Sequence, residues 1–329
     1  MTPGTGSGVC HVCGRALHLE WAKARDVEYA STNDTFAYYL CEACDALSIH
    51  PLPIGRLAEI YPSTYYSFAS AEDQPLVRPG AVTRVKAWLD RRRFRRILEL
   101  VASPRPRILD VGGGTGKVSA DLVSASAGAA SATVVDFDPA SAGVAKSRGL
   151  DVFLGRFEDY ETDERFDIVM MLNVLEHVSN PLGMLEKSRR LLAPRGVLWL
   201  QTPNFRSLDA RIFRHRNWGG LHCPRHWAIF STAGLRAALE RAELEEESLE
   251  RTQGAGFWAC SLLGLSRRGS NLDGLSRPLV EYRSFLPLAA AAAAFDFTTR
   301  YVRETSQVVV LARAGKHDAS TGWSGPVDR

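Results

Sequence analysis

RILDVGGGTGKVS, residues Arg107 to Ser119, places three consecutive glycines directly behind an apolar, strand-like run. What that loop holds decides how the fold is used. A phosphate loop requires GxxxxGK followed by Ser or Thr, so that the lysine and hydroxyl serve phosphate and magnesium. Here Lys117 follows Gly116, but Val118 comes next and no glycine stands at the required distance upstream. A dinucleotide site wants GxGxxG, the third glycine admitting close helix packing against the sheet. Gly112, Gly114 and Gly116 instead spell GxGxG behind Asp110, which weakens that reading and leaves it open.

The remaining ligand class has no phosphate. S-adenosylmethionine (SAM) ends in an amino acid with an ammonium group, and glycines let the backbone approach it without a Cβ in the way. A carboxylate at Asp110 can hold the loop and meet the ammonium directly or through water. The next strand pattern, ATVVDFD, supplies an acid roughly 20 residues past the loop, suited to bidentate bonding with ribose hydroxyls. Asp136 directly follows Val134 and Val135, where the strand should emerge, and Asp138 is the near alternative.

Outward from the loop, strand and helix patterns alternate. RILDVG, ATVVDFD, DVFLGRF, FDIVMMLNV and GVLWLQTPN read as strands. GKVSADLVSASA, PASAGVAKSRG, NPLGMLEKSRRLLA and TAGLRAALERAE read as helices, and SQVVVLARA as a closing strand. Such alternation predicts an α/β fold with a mainly parallel sheet. Ahead of it, Val85, Trp88, Leu89, Phe94, Ile97, Leu98 and Val101 fall near helical spacing, with the basic cluster RRRFRR on the other side. The expected organisation is a disordered leader (1–8), a small cysteine-bearing module (9–68), a polar linker (69–81), the α/β domain (82–314) and a disordered tail (315–329).

In this order, DVGGGTG, VVDFD, FDIVMMLNVLEHVSNP and LLAPRGVLWLQTPN resemble the class I SAM-dependent methyltransferases. The resemblance covers about Arg107 to Asn204 and, weakly, the final strand pattern. It implies a Rossmann-like seven-stranded sheet with helices on both faces and an antiparallel last strand. It also implies SAM contacts at Asp110, Gly112, Gly114, Gly116, Asp136 and Asn173. Many relatives place an acid after the third strand, in a pattern like GDxE, to accept the adenine amino group. This chain has Arg156 at that position, so Phe157 is assigned to stacking on adenine, and Glu158 or Asp159 to the hydrogen bond.

Four of the six cysteines form two CxxC knuckles, Cys10/Cys13 and Cys41/Cys44. In a reduced, cytoplasmic setting, which the absence of a signal-like N-terminus suggests, paired knuckles point to metal rather than disulfides. Four thiolates arranged tetrahedrally hold zinc at about 2.3 Å and leave no open position, so the zinc is structural. A zinc knuckle followed by PLPIGRLAEIYPSTYYSF and a methyltransferase domain resembles a bacterial subgroup that includes sugar C-methyltransferases, although those carry a long further C-terminal domain.

Ligands of open α/β sheets bind beyond the carboxyl ends of the strands. NVLEHV brings Glu176 and His177 there, and the long segment after GVLWLQTPN brings His215, His222, Arg225 and His226. Methyl transfer to oxygen or carbon needs a base, for which imidazole has a suitable intrinsic pKa. His177 is the first candidate and His226 the second, each set against a plain packing role. Trp218, Trp227, Tyr65 and Tyr66 are candidates for an acceptor pocket, with the core as the alternative. The net charge of +3 gives no argument for nucleic acid. RRRFRR reads as a solvated face, with an anionic acceptor or peripheral contact with an acidic membrane as alternatives. Residues 277–299 read as a lid or interfacial helix. The leading expectation is a SAM-dependent methyltransferase for a small-molecule or sugar-linked acceptor. An NAD-linked oxidoreductase and a non-enzymatic zinc-knuckle binding module are the competing classes.

Overall fold

The computed structural model of the chain describes residues 8–62, 65, 81–266 and 286–315. The expected leader up to residue 7, linker residues 69–80, Tyr66, residues 277–285 of the expected lid and the tail from 316 lie outside the described residues. Strands β1 (Leu19–Arg25), β2 (Thr35–Cys41) and β3 (Ala46–His50) form an antiparallel N-terminal sheet. Its fourth strand, β9 (Ala228–Phe230), comes from far along the chain and pairs with β3 from Ala46↔Phe230 to Ser48↔Ala228. The cysteine-bearing segment is therefore stitched to the α/β half through backbone pairing.

The larger sheet has seven strands: β4 (Arg107–Val111), β5 (Ser131–Asp136), β6 (Asp151–Leu154), β7 (Phe166–Leu172), β8 (Leu192–Pro203), β10 (Leu244–Thr252) and β11 (Gln307–Ala314). Their order is β10-β11-β8-β7-β4-β5-β6. Strands β4 to β8 pair in parallel, and β11 runs antiparallel to both its neighbours. This is the Rossmann-like sheet that the strand and helix patterns anticipate. Central strands covered on both faces need continuous apolar runs rather than alternation. Val169, Met170, Met171, Val197, Leu198 and Leu200 accordingly have no exposed surface. The order reverses beside β4, so the ligand crevice falls at the ends of β4, β5 and β7.

Local chemistry sets the helix starts. Helix α4 (Pro139–Ser147) begins with Asp138 accepting from the Ser141 amide at 2.7 Å, and Pro139 follows where no donor is needed. Asn180 caps α5 (Pro181–Leu191) in the same way, and Ser231 caps α7 (Thr232–Arg241).

Two sequence expectations change. On α2 (Ala81–Val101), Phe94, Ile97 and Val101 are buried, but Trp88 and Leu89 are 57% and 38% exposed, so the apolar stripe covers only the C-terminal half. Arg92 lies over the Trp88 ring instead. Strand β10 is an addition: LEEESLERT has no strand alternation, and only Leu244 is buried. It is an edge strand held by backbone pairing to β11, and charge along such an edge discourages pairing with other chains. Helix α9 (Leu286–Thr299) occupies the described part of the expected lid. Its Asp296 accepts from the Gly254 amide, Trp258 Nε1 and Ser306 Oγ, which ties it to α8 (Ala255–Ser266) and the start of β11. No helix among the described residues is long and apolar enough to cross a membrane.

Candidate active site

The loop between β4 and α3 (Lys117–Ala125) turns through Gly112, Gly114 and Gly116, with φ of +64°, +54° and +66°. An L side chain is strained at all three, but space separates their roles. A Cβ on Gly112 would stand 2.7 Å from Val174 Cγ2, and one on Gly116 would overlap Leu150. Both glycines therefore serve packing. Beside Gly114 there is nothing within 4 Å. The loop's open face is there.

Asp110 lies beneath the loop, 3% exposed, and accepts from Ser119 Oγ at 2.6 Å. Burial pushes its carboxyl up to about 7; the Ser119 hydroxyl works against this and the neighbouring Asp136 adds to it. Asp136, at the end of β5, accepts from the Gly114 amide at 2.8 Å and the Asp138 amide at 2.9 Å. Burial raises its pKa as well, against those amide bonds. Asp138 is committed to capping α4, and Asp136 is the acid bonded to the amide of Gly114, beside which the loop is open.

The adenine expectations fare differently. Phe157 is 4% exposed and sits in the main core, with the Lys187 ammonium 5.2 Å from its ring centre. A ring so buried presents almost no surface for stacking, and that assignment is corrected: the side chain that follows β6 packs into the core with Met184 and Leu185 of α5 in the same cluster. Glu158 is partly exposed and paired with Arg156 at 2.6 Å. Phe137 offers the exposed ring instead, at 58%, immediately after Asp136 and 6.4 Å from Tyr61. Sequence reading passed over Phe137, although a large apolar residue next to the acid expected at the ribose, at a strand mouth, was the available signal.

Beyond β7 the chain turns at Asn173, whose φ is +59°. Its amide donates to Glu176 Oε1 at 3.0 Å and its carbonyl oxygen accepts from Gln201 Nε2 at 3.1 Å. Asn173 thus orients Glu176, which also accepts from Thr202 Oγ1 at 2.9 Å and is fully buried. Burial pushes the Glu176 carboxyl up to about 7, against the bonds from its own backbone amide, Asn173 and Thr202. His177 follows, half-buried, with Nδ1 2.9 Å from the Tyr61 hydroxyl.

The segment between α6 (Leu208–Phe213) and β9 folds back over this point. The His226 ring centre is 4.6 Å from that of His177 and 5.0 Å from that of His222. His226 Nδ1 is 2.8 Å from the Gly220 carbonyl oxygen, and His222 Nδ1 is 2.8 Å from Glu28 Oε2. Burial, then the proximity of His222, push the His177 pKa down to about 3; burial and the other two histidines hold His226 well below the usual range. His177 and His226 are therefore neutral imidazoles. His215 is exposed at the end of α6 and takes no part.

Arg225, fully buried, anchors this segment through Asp26 at 2.8 Å, its guanidinium lying over the Tyr29 ring. Tyr38 donates to the Leu221 or His226 carbonyl at 3.1 and 3.2 Å. Glu28, Tyr38 and Tyr61 are N-terminal residues that sequence reading did not connect to the site. Tyr65 does join it, 5.8 Å from His222. Trp218 and Trp227, 1% and 4% exposed, are core residues rather than pocket walls; Trp218 Nε1 donates to Asp209 at 2.7 Å.

The sulfur atoms of Cys10, Cys13, Cys41 and Cys44 lie within 4.8 Å of one another, Cys13 and Cys41 at 3.6 Å. The Val12 amide donates to Cys10 Sγ at 3.4 Å. Burial pushes the Cys10 thiol up to about 11 and Cys44 still higher. In the absence of a cation, Cys10 and Cys44 are therefore held as thiols, whereas Cys13, against its burial, is drawn downward by hydrogen bonds from the Arg15 backbone and the neighbouring cysteines. The donor set fits a tetrahedral zinc ion.

A family model described as a methyltransferase domain matches residues 85–249. The ubiquinone biosynthesis O-methyltransferase of Xanthomonas campestris pv. campestris (strain B100) is 34% identical over 112 residues, 32% of this chain and 46% of that protein. The Haemophilus ducreyi protein of the same name is 34% identical over 116 residues, 32% of this chain and 48% of its own length. The chain thus spans about half the length of the curated relatives it matches. Among solved structures, a SAM-dependent methyltransferase from Thiobacillus denitrificans in complex with S-adenosyl-L-homocysteine (SAH) superposes with a TM-score of 0.43 at 16% identity. That match covers 69% of this chain and 91% of the other. With the family model spanning half of its length, from the basic helix through the glycine loop to β10, this chain belongs to the methyltransferase-domain family, in the class I, SAM-dependent group.

Proposed function

We propose that this chain transfers the methyl group of SAM to a hydroxyl of a small-molecule or sugar-linked acceptor bound beside His177 and His226. The observation that carries this is the shared rim of two half-sites. The glycine loop, whose open face is at Gly114, packs through Gly112 against Val174, and Val174 directly precedes the turn bearing Glu176 and His177. Asp136 holds the ribose, Phe137 covers the adenine, and Asp110 stiffens the loop from below. When bound, SAM supplies an electrophilic methyl group: the S–CH₃ bond breaks toward sulfur as the acceptor oxygen's lone pair forms the new bond. The proton on that oxygen passes to His177 or His226, whose neutral rings have lone pairs to receive it. Oxygen as the acceptor atom follows the names of the curated relatives. Zinc on the four cysteines braces the N-terminal sheet that supplies Tyr61, Tyr65 and Glu28 to this rim.

The test is calorimetric titration with SAH, alongside methyl transfer from labelled SAM to a panel of hydroxylated acceptors. Asp136→Asn should weaken SAH binding roughly 10- to 100-fold, since bonds from neutral donors to a carboxylate are worth about 1.5–3 kcal/mol. Undiminished affinity would place the donor elsewhere and end the proposal.

A further inference from the structure

Glu176, His177 and His226 form a second cluster of metal-ligand type, distinct from the four cysteines. One carboxylate oxygen and one nitrogen from each ring all lie within 4.8 Å of one another. Glu176 Oε1 and His226 Nε2 are 3.9 Å apart, beyond hydrogen-bond distance. Ligands of a first-row divalent cation sit at about 2.0–2.2 Å from it. The gap is therefore wide for a shared proton and within a small contraction of what an ion between the two atoms requires.

The surroundings orient these atoms. The Gly220 carbonyl can only accept, so His226 carries its hydrogen on Nδ1 and turns the Nε2 lone pair toward Glu176. His177 Nδ1 is engaged by the Tyr61 hydroxyl, and Asn173 and Thr202 fix the carboxylate. Ligating histidines in metal sites are held in this manner, the far ring nitrogen bonded to a carbonyl, carboxylate or hydroxyl. His222, engaged by Glu28 through Nδ1, stands next to His226 as a further donor. No competing cation stands in the way. Glu176 is fully buried, and among the described residues no lysine or arginine pairs with it; Arg225 is committed to Asp26.

We propose that Glu176, His177 and His226 bind one divalent transition-metal cation at the acceptor end of the site. Two imidazoles and a carboxylate select zinc, iron(II), cobalt or manganese over magnesium or calcium. Three protein ligands leave a position open. Resting on the methyl-transfer reading above, that position takes the acceptor hydroxyl. With the cation bound, ligation replaces the imidazoles as the means of deprotonation. It lowers the hydroxyl's pKa, the proton leaves to solvent instead of to His177 or His226, and the oxygen attacks the methyl group as the S–CH₃ bond breaks toward sulfur. The inference thus narrows the acceptor to an oxygen able to ligate a cation.

The experiment titrates Mn²⁺ into the full chain and follows free and bound ion by electron paramagnetic resonance, with spin-echo detection of coupled imidazole nitrogen. One Mn²⁺ per chain carrying imidazole coupling is expected. His226→Gln and Glu176→Gln should each weaken it roughly tenfold or more, whereas Trp88→Ala, on the exposed part of α2, leaves it in place. Wild-type protein that takes up no Mn²⁺, or takes it up without imidazole coupling, overturns the proposal, as does equal binding in both ligand variants. SAH titrations of the same samples separate the two readings. Intact SAH binding without Mn²⁺ removes only the cation, and Mn²⁺ binding without SAH binding removes only the methyl-transfer assignment.

Discussion

Replacing Asp26 by Asn tests how the acceptor half of the site is held. Asp26 and Arg225 are both fully buried, with Oδ2 and Nη2 2.8 Å apart. The same carboxylate accepts from the amides of Glu28, Tyr29 and Ser31 and from Ser31 Oγ at 2.6 Å. Asn keeps the size and one acceptor oxygen. Its NH₂ group must then face either Ser31 and Arg225 Nη2 or the Glu28 and Tyr29 amides, donors in each case, and the Arg225–Asp26 ion pair is lost. Breaking a buried pair in this way costs about 3–5 kcal/mol. The Asp26→Leu/Arg225→Met double variant should cost less than the sum of its single changes, because no lone charge remains. Burial alone would raise the Asp26 pKa, but the Arg225 charge and the hydrogen bonds outweigh it and the net shift is downward. A depressed carboxyl pKa contributes stability above the unfolded-state value, near 4, and loses it as pH falls through the folded-state value. Wild type and Asp26→Asn should therefore converge in acid and separate at neutral pH. Urea unfolding at several pH values measures this, and SAH titration at neutral pH should show donor binding retained. A neutral-pH cost below about 1 kcal/mol, the range of an exposed ion pair, would refute the argument.

Asp110→Asn should behave oppositely in the ligand-free chain. Its carboxyl pKa is raised to about 7, so the charged form is the costly one and the wild type loses stability as pH rises from the unfolded value through 7. By urea midpoint, the variant should be equal to the wild type near pH 3 and more stable at pH 8. The gain should reach a few kcal/mol, since a tenfold change in proton affinity between folded and unfolded chain is worth about 1.4 kcal/mol. Phe157→Ala should cost about 3–5 kcal/mol of stability by leaving a core cavity; Phe137→Ala should cost little stability and weaken SAH binding in calorimetry. Cys41→Ser should lower the bound zinc found by elemental analysis and lower the melting temperature, with methyl transfer falling more than SAH affinity.

The glycine loop and its flanking acids were legible because their signals are local. Asp110, the glycines and Asp136 lie at two neighbouring strand ends, and strand periodicity alone places such ends. Phe157 and Phe137 show where this stops. Both are apolar residues at strand mouths, and which one turns inward depends on α5 and Lys187 packing from another layer. Strand β10 was missed because its charged sequence is set by the solvent and its strand state by the partner β11.

Taken alone, the amino-acid order determined the α/β class, the strand-to-helix alternation, the metal-type cysteine spacing and the glycine loop. Each of these depends on residues within about one supersecondary unit, where spacing and backbone preference leave few choices. Only tertiary structure decided that β9 would complete the N-terminal sheet and that Glu28, Tyr61, His177, His222 and His226 would meet. Those contacts join residues up to about three-fifths of the chain apart. They follow from burying Arg225 against Asp26 and pairing β3 with β9, long-range events that no short stretch of sequence encodes.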